Sequence, residues 1–197
     1  MGYLSFEKNN MVKKLLLLFV SSTMMSLASY AQTTRNYIEE NLPLAQELMK
    51  ENHIPASIIL GIAIHESAAG TSKIARYLNN HFGVKGDNNS SKIKSSYKGY
   101  ESVEDSYLHF IEFMHSRTAF AKLFDKYDED DYLNWARGIQ KAGYARSHSW
   151  ASQVIGLIKK YELFKYDDLP PSKLQPVPVA KIKIKKAKPI TLQKDNS

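Results

Sequence analysis

The apolar pattern divides the chain into three parts. Near the start, Lys13 and Lys14 precede a continuous apolar run, Leu15 to Val20. That run fades through hydroxyl-bearing residues into Ser29-Tyr30-Ala31. The middle carries apolar residues at helical spacing, interrupted once by a polar stretch. At the far end, Pro170-Pro171 closes the patterned part.

Within the middle, Pro43 is a favourable first-turn residue and predicts a helix over 43–52. Asn52-His53-Ile54-Pro55 breaks it. The next segment, Pro55 to Glu66, is apolar on almost every side: Ile58, Ile59, Leu60, Ile62, Ala63 and Ile64. A helix with no polar face belongs at the centre of a domain. Thr71 or Ser72 can cap a short helix through Leu78. Residues 79–101 are rich in Asn, Gly and Ser, with short β-like pieces at Phe82 to Lys85, Lys92 to Lys94 and Ser96 to Tyr100.

Ser102 and Asp105 then make a cap-like start to another helix, whose Val103, Tyr107, Phe110, Ile111 and Met114 share one face. A helix near 129–142 ends at Gly143, a typical residue just past a helix end. The last helix places Trp150, Val154, Leu157, Ile158 and Tyr161 on one stripe. About six helices around a buried one, with a small β-like excursion, define a mainly α (α+β) domain.

Composition sharpens the three-part division. The chain has 197 residues, 43% hydrophobic and 24% charged, an ordinary globular mixture. It has no cysteine, which excludes disulfides, thiol nucleophiles and cysteine metal sites. The net charge is +7, yet residues 32–169 carry 17 Lys/Arg against 18 Asp/Glu. The basicity lies in the ends, so the domain itself has no charge signature of nucleic-acid binding. Residues 1–31 read as a secretory signal peptide cleaved before Gln32, with an exported mature chain. A membrane anchor would need about 20 apolar residues. The basic Pro/Lys-rich segment 170–197 reads as a disordered tail. The alternative for it is an electrostatic tether to a membrane or an anionic wall polymer.

Candidate chemistry concentrates at Glu66. The stripe Ile59, Ile62, Ala63 continues by three and four residues onto position 66. A carboxyl group therefore ends a buried apolar helix. Burying an ionised carboxylate is costly unless it is paired or protonated. Desolvation favours the protonated form, so a sheltered carboxyl can serve as a general acid. The same position also suits a helix-end carboxylate that points outward and is merely solvated. No histidine pair has metal-ligand spacing, and no motif calls for a cofactor.

His65-Glu66-Ser67, followed by Gly70 and Ser72, resembles the Glu-Ser-x-x-Gly-x-Ser segment of glycoside hydrolase family 73, the bacterial endo-β-N-acetylglucosaminidases. The likeness continues in order. Ile54-Pro55-Ala56-Ser57, Asn79-Asn80-His81-Phe82-Gly83-Val84-Lys85, Tyr97-Lys98-Gly99-Tyr100-Glu101-Ser102, and Ala142-Gly143-Tyr144-Ala145 with Trp150-Ala151 are all similar to that family. Together they span roughly residues 36–165.

The resemblance implies a lysozyme-like helical lobe and a small β-lobe, with a glycan cleft between them. It implies peptidoglycan glycan strands as the partner and a monomeric enzyme. Glu66 would protonate the leaving oxygen of the β-1,4 bond on the reducing side of N-acetylglucosamine. Ser67, Asn80, Phe82, Tyr97 and Tyr100 would contribute to substrate binding. The three aromatic residues among them suit either sugar stacking or the core.

Three departures stand out. The β-lobe is short, and its only acid between 86 and 96 is Asp87, which could activate water or simply form a turn. Without a second carboxylate the substrate's own acetamido group can attack. Tyr144, in the family's Ala-Gly-Tyr-Ala segment, would then bind that group, unless it is a core tyrosine after a helix end. Ala68-Ala69 stand where the family often has Gly-Trp or Gly-Asn, and Arg146-Ser147-His148 replace Thr-Asp-Pro. Alternatives to the hydrolase are a lytic transglycosylase on the same fold and a glycan-binding scaffold without turnover.

Overall fold

The computed structural model describes residues 31–168. The segment expected to be a signal peptide, apart from its last residue Ala31, and the expected basic tail lie outside the described residues. Helix α1 occupies 31–52, followed by α2 (Ala56–Ser67), α3 (Lys73–Leu78), α4 (Val103–Ser116), α5 (Thr118–Phe124), α6 (Tyr132–Lys141) and α7 (Trp150–Lys160). A 3-10 turn, Leu163–Tyr166, follows. No helix among the described residues is long and apolar enough to cross a membrane.

Helix α2 is the centre, as its pattern predicts. Every residue from Ala56 to Ile64 is buried. It packs against α6, α7 and the 3-10 turn. Each of its fully buried isoleucines contributes about 1.5–3 kcal/mol relative to exposure. Gly61 lets α7 approach: a Cβ there would lie 2.8 Å from Ile158 Cγ1 and 3.3 Å from Val154 Cγ1.

The N-terminus of α2 has an unusual cap. Its flanking residue, Pro55, offers no side-chain acceptor. Asp167, 110 residues further on, supplies one: Oδ1 accepts the Ser57 N–H at 2.8 Å and Oδ2 accepts the Ser57 hydroxyl at 2.6 Å. The last described turn of the chain thus closes the first turn of the central helix.

Helix α1 begins earlier than Pro43 predicts. Tyr37, Ile38, Leu42, Ala45, Leu48 and Met49 form one buried stripe that runs across the proline. Proline inside a helix costs about 3 kcal/mol, and the burial of that stripe offsets it. His53, at φ 58°, ends the helix where the sequence break predicts. Helix α6 starts at Tyr132 rather than near 129, because Asp131 caps it by accepting the Asn134 N–H at 3.1 Å. The caps predicted for α3 and α4 are present. Ser72 Oγ accepts Ala75 N–H, while Ser102 and Asp105 form a reciprocal capping box.

The small lobe contains less β-structure than expected. Among the described residues its pairing is one isolated antiparallel bridge, Lys85 with Tyr97. Lys92 to Lys94 form no strand. Side-chain amides supplement the backbone bonds there, in which Lys98 N–H donates to Val84 O (2.9 Å), Gly86 N–H to Ser96 O (3.0 Å) and Gly99 N–H to Asp87 O (3.1 Å). Asn80 Nδ2 donates to the carbonyls of Val84 (2.9 Å) and Lys98 (2.8 Å), and its Oδ1 accepts the Val84 N–H. Asn88 Nδ2 donates to the carbonyls of Ser95 (2.9 Å) and Tyr97 (2.7 Å).

Candidate active site

Glu66 is the penultimate residue of α2 and is half-buried rather than sealed. One carboxyl oxygen, Oε1, accepts the indole N–H of Trp150 at 2.8 Å. The other lies against Gly83, where a Cβ would sit 3.2 Å from Oε2 and 4.0 Å from the Tyr97 ring. Gly83 adopts φ +66°, a conformation that glycine takes without penalty. The small lobe therefore approaches the carboxylate through a residue with no side chain, leaving Tyr97 beside it.

Two elements hold the acid. Trp150 opens α7 and is 2% exposed, so its indole is a fixed donor. The side chain of Gln140, on α6, accepts the Ala151 N–H at 2.7 Å and pins the start of α7. On the other side, the chain leaves α2 through three consecutive left-handed residues, Ala68, Ala69 and Gly70. For the two alanines this conformation costs roughly 1–2 kcal/mol each. Ser67 stabilises the turn: its hydroxyl donates to Ala63 O at 2.6 Å and accepts the Gly70 N–H at 2.8 Å.

The structure gathers some of the sequence-predicted residues around Glu66 and sets others apart. Ser67 (0% exposed), Asn80 (1%) and Phe82 (2%) lie inside the protein rather than on its surface. Phe82 stacks on Phe110, with centroids 4.3 Å apart. Tyr97 is half-exposed beside Gly83, with the Lys85 ammonium 3.4 Å above its ring centroid. Tyr100 is half-buried and bonded to His109 Nδ1 at 2.7 Å. Burial pushes its phenol pKa well above the ordinary value, and the charge of Glu112 adds to that.

Tyr144 is half-buried, with its ring 5.1 Å from that of Trp150. Its hydroxyl donates to the Phe82 carbonyl at 2.9 Å, which ties the segment after α6 to the residue preceding Gly83. Burial raises the Tyr144 pKa far above normal, and the negative charge of Glu66 raises it further. Asp87 is exposed on the small lobe. Its carbonyl accepts the Gly99 N–H at 3.1 Å, a backbone bond that ties the two sides of the small lobe together.

Two features escape a reading of the sequence. Trp150 sits on an apolar stripe, and nothing in that stripe marks its indole N–H as the partner of a carboxylate 84 residues away. The second is a buried polar chain behind the acid. Tyr37 Oη bonds His81 Nδ1 at 2.6 Å and Tyr107 Oη at 2.9 Å. Burial lowers the His81 pKa to about 4, so this imidazole stays neutral at physiological pH.

A carboxyl at the C-terminal end of a buried helix, overhung by a small lobe, defines a lysozyme-like class of glycosidase architecture. The chain belongs to the glucosaminidase family, glycoside hydrolase family 73, whose family model, described as mannosyl-glycoprotein endo-beta-N-acetylglucosaminidase, matches residues 42–163. It is 29% identical over 145 residues to the exo-glucosaminidase LytG of Bacillus subtilis, covering 65% of this chain and 51% of that protein. An N-acetylmuramoyl-L-alanine amidase domain-containing protein of Staphylococcus aureus is 25% identical over 159 residues, or 70% of this chain and 25% of that one. The chain thus spans about half and a quarter of the lengths of these curated relatives. In fold it is similar to the catalytic domain of the autolysin Auto from Listeria monocytogenes. The TM-score is 0.59 at 21% identity, covering 68% of this chain and 87% of that one.

Proposed function

We propose that this protein is an exported peptidoglycan hydrolase that cuts the β-1,4 bond on the reducing side of N-acetylglucosamine, with Glu66 as general acid. The observation that carries the reading is the fixed, half-exposed Glu66 carboxyl at the end of α2, held by Trp150 and facing Gly83. A glycan laid across this half-exposed carboxyl, beside the small lobe, would present its glycosidic oxygen to it. Proton donation to the leaving oxygen offsets the charge that builds up as the bond breaks. The sugar then passes through an oxocarbenium-like state.

Asp87 stands exposed on the lobe, so the substrate's acetamido oxygen is the better internal nucleophile. In this reading it attacks the anomeric carbon from the face opposite the leaving group, and water later opens the oxazolinium while the Glu66 carboxylate takes the water's proton. Tyr144 uses its proton on the Phe82 carbonyl, so it positions the residue preceding Gly83 beside Glu66.

Purified wall digested by the protein should gain reducing-end N-acetylglucosamine, read by mass spectrometry. Glu66→Gln should lower that rate by roughly 10²–10⁴-fold. Undiminished digestion by Glu66→Gln would remove the assignment. Anhydromuramic ends in the products would assign a transglycosylase instead. Release of short oligomers marks endo cleavage; release of single sugars marks the exo mode named in the Bacillus relative.

A further inference from the structure

Next to the Glu66 site lies a depression of about 500 Å³ between the small lobe and α4. It starts at Val84, one residue beyond Gly83, and includes Phe113, whose ring meets that of Tyr144 edge-on at 6.0 Å. Three cations line it: Lys85, Lys98 and Arg117. Each lies over an aromatic ring. Lys85 Nζ is 3.4 Å from the Tyr97 centroid, Arg117 Cζ 4.2 Å from that of Phe113, and Lys98 Nζ 5.8 Å from that of Tyr100. Among the described residues, none of the three has a carboxylate within 4.0 Å. Two acids, Asp87 and Glu112, line the same depression without pairing to them.

Such a lining is poorly matched to a neutral sugar. Cations held on ring faces and left without counter-charge await carboxylates, and the unpaired acids await an ammonium. A short peptide bearing both kinds of charge satisfies the whole set. The peptide stems of the wall are of this kind. They carry the carboxylates of γ-linked D-glutamate and of the C-terminus, and the amine of a diamino acid. They branch from the sugar next to the bond that would be cut, so a stem must leave the groove close to Glu66. We propose that this depression is a binding site for the peptide stem, with Lys98 and Arg117 taking its carboxylates and Asp87 and Glu112 taking its ammonium. The assignment rests on the peptidoglycan reading above and names the part of the substrate that this face selects.

The test compares intact wall glycan with the same glycan stripped of its stems by an amidase. The wild-type protein should cut intact strands at least fivefold faster in kcat/KM. The double variant Lys98→Gln/Arg117→Gln should bring that ratio close to one. A synthetic stem tetrapeptide (L-alanine, γ-D-glutamate, a diamino acid, D-alanine) should shift amide resonances of residues 84–87 and 109–117 in full-length Glu66→Gln protein. Its affinity should fall about tenfold when the two cations are also replaced. A wild-type ratio of one, a ratio unchanged in the double variant, or a tetrapeptide that shifts no resonance in these segments would each overturn the stem site. These results leave the Glu66 assignment untouched, because that stands or falls on whether Glu66→Gln still cleaves stripped glycan.

Discussion

The indole N–H of Trp150 donates to Glu66 Oε1 at 2.8 Å, joining the start of α7 to the end of α2. Such a hydrogen bond contributes about 0.5–1.5 kcal/mol net. Here it also selects the direction in which the carboxyl points. Trp150→Phe keeps most of the ring and removes the donor. The variant should fold, lose about 0.5–1.5 kcal/mol of stability, and cut wall glycan at least tenfold more slowly. Paired denaturation and turnover measurements check it. A stable variant with wild-type turnover would show that the indole does not orient the acid.

Gly83 carries a comparable demand from the other side of the carboxyl. An added methyl would lie 3.2 Å from Glu66 Oε2 on a backbone at φ +66°. Gly83→Ala should cost roughly 1–2 kcal/mol from conformation alone. It should also lower kcat by crowding the acid, and more strongly than it weakens glycan binding. A variant with unchanged kcat would show that the close approach of the small lobe is incidental.

Asp167 predicts a pH dependence. Burial raises its pKa to about 7, against the smaller opposing effect of its two bonds from Ser57. The folded-state pKa then exceeds the unfolded value of about 3.9. Its contribution to stability is fully present below the unfolded value and is lost as pH rises through about 7. His81 acts in the opposite sense. Its folded pKa is lowered from 6.5 to about 4, so its contribution is present above the unfolded value and lost on acidification through about 4. The variant Asp167→Asn isolates the first effect while leaving His81 in place. The gap in melting temperature between wild type and variant should shift in favour of the variant between pH 4 and pH 8. Parallel melting curves across that range would exclude Asp167 as the titrating group.

The sequence makes local decisions legible and long-range ones obscure. Helix α2 is readable because an unbroken apolar run admits one location, the core. The α4 start is readable because Ser102 and Asp105 are three residues apart and complete each other. The front half of α1 is masked by Pro43, a local stop signal overridden by a buried stripe on both sides of it. The small lobe reads as strands because its residues suit strands, yet its described residues form one bridge, and Asn80 and Asn88 share the cross-lobe bonding with a few backbone hydrogen bonds. Glu66 stands out as a candidate acid from periodicity and resemblance together. Its partners Trp150 and Gly83 do not, because no periodic pattern connects them with position 66. The same holds for the distant cap that Asp167 gives α2.

The amide-stitched small lobe has an evolutionary corollary. Backbone ladders couple every residue to a register, so an insertion in one strand misaligns the whole sheet. Residues 86–96 are tied to the rest of the small lobe by a few bonds, among them Gly86 N–H to Ser96 O and the Asn88 amide to the Ser95 and Tyr97 carbonyls, and lengthening such a loop adds only a slowly growing entropy cost. Here the loop beyond Gly83 is free to gain or lose residues while α2, Trp150 and Gly83 stay where they are. Changes in the length of that loop would leave the placement of Glu66 between Trp150 and Gly83 intact.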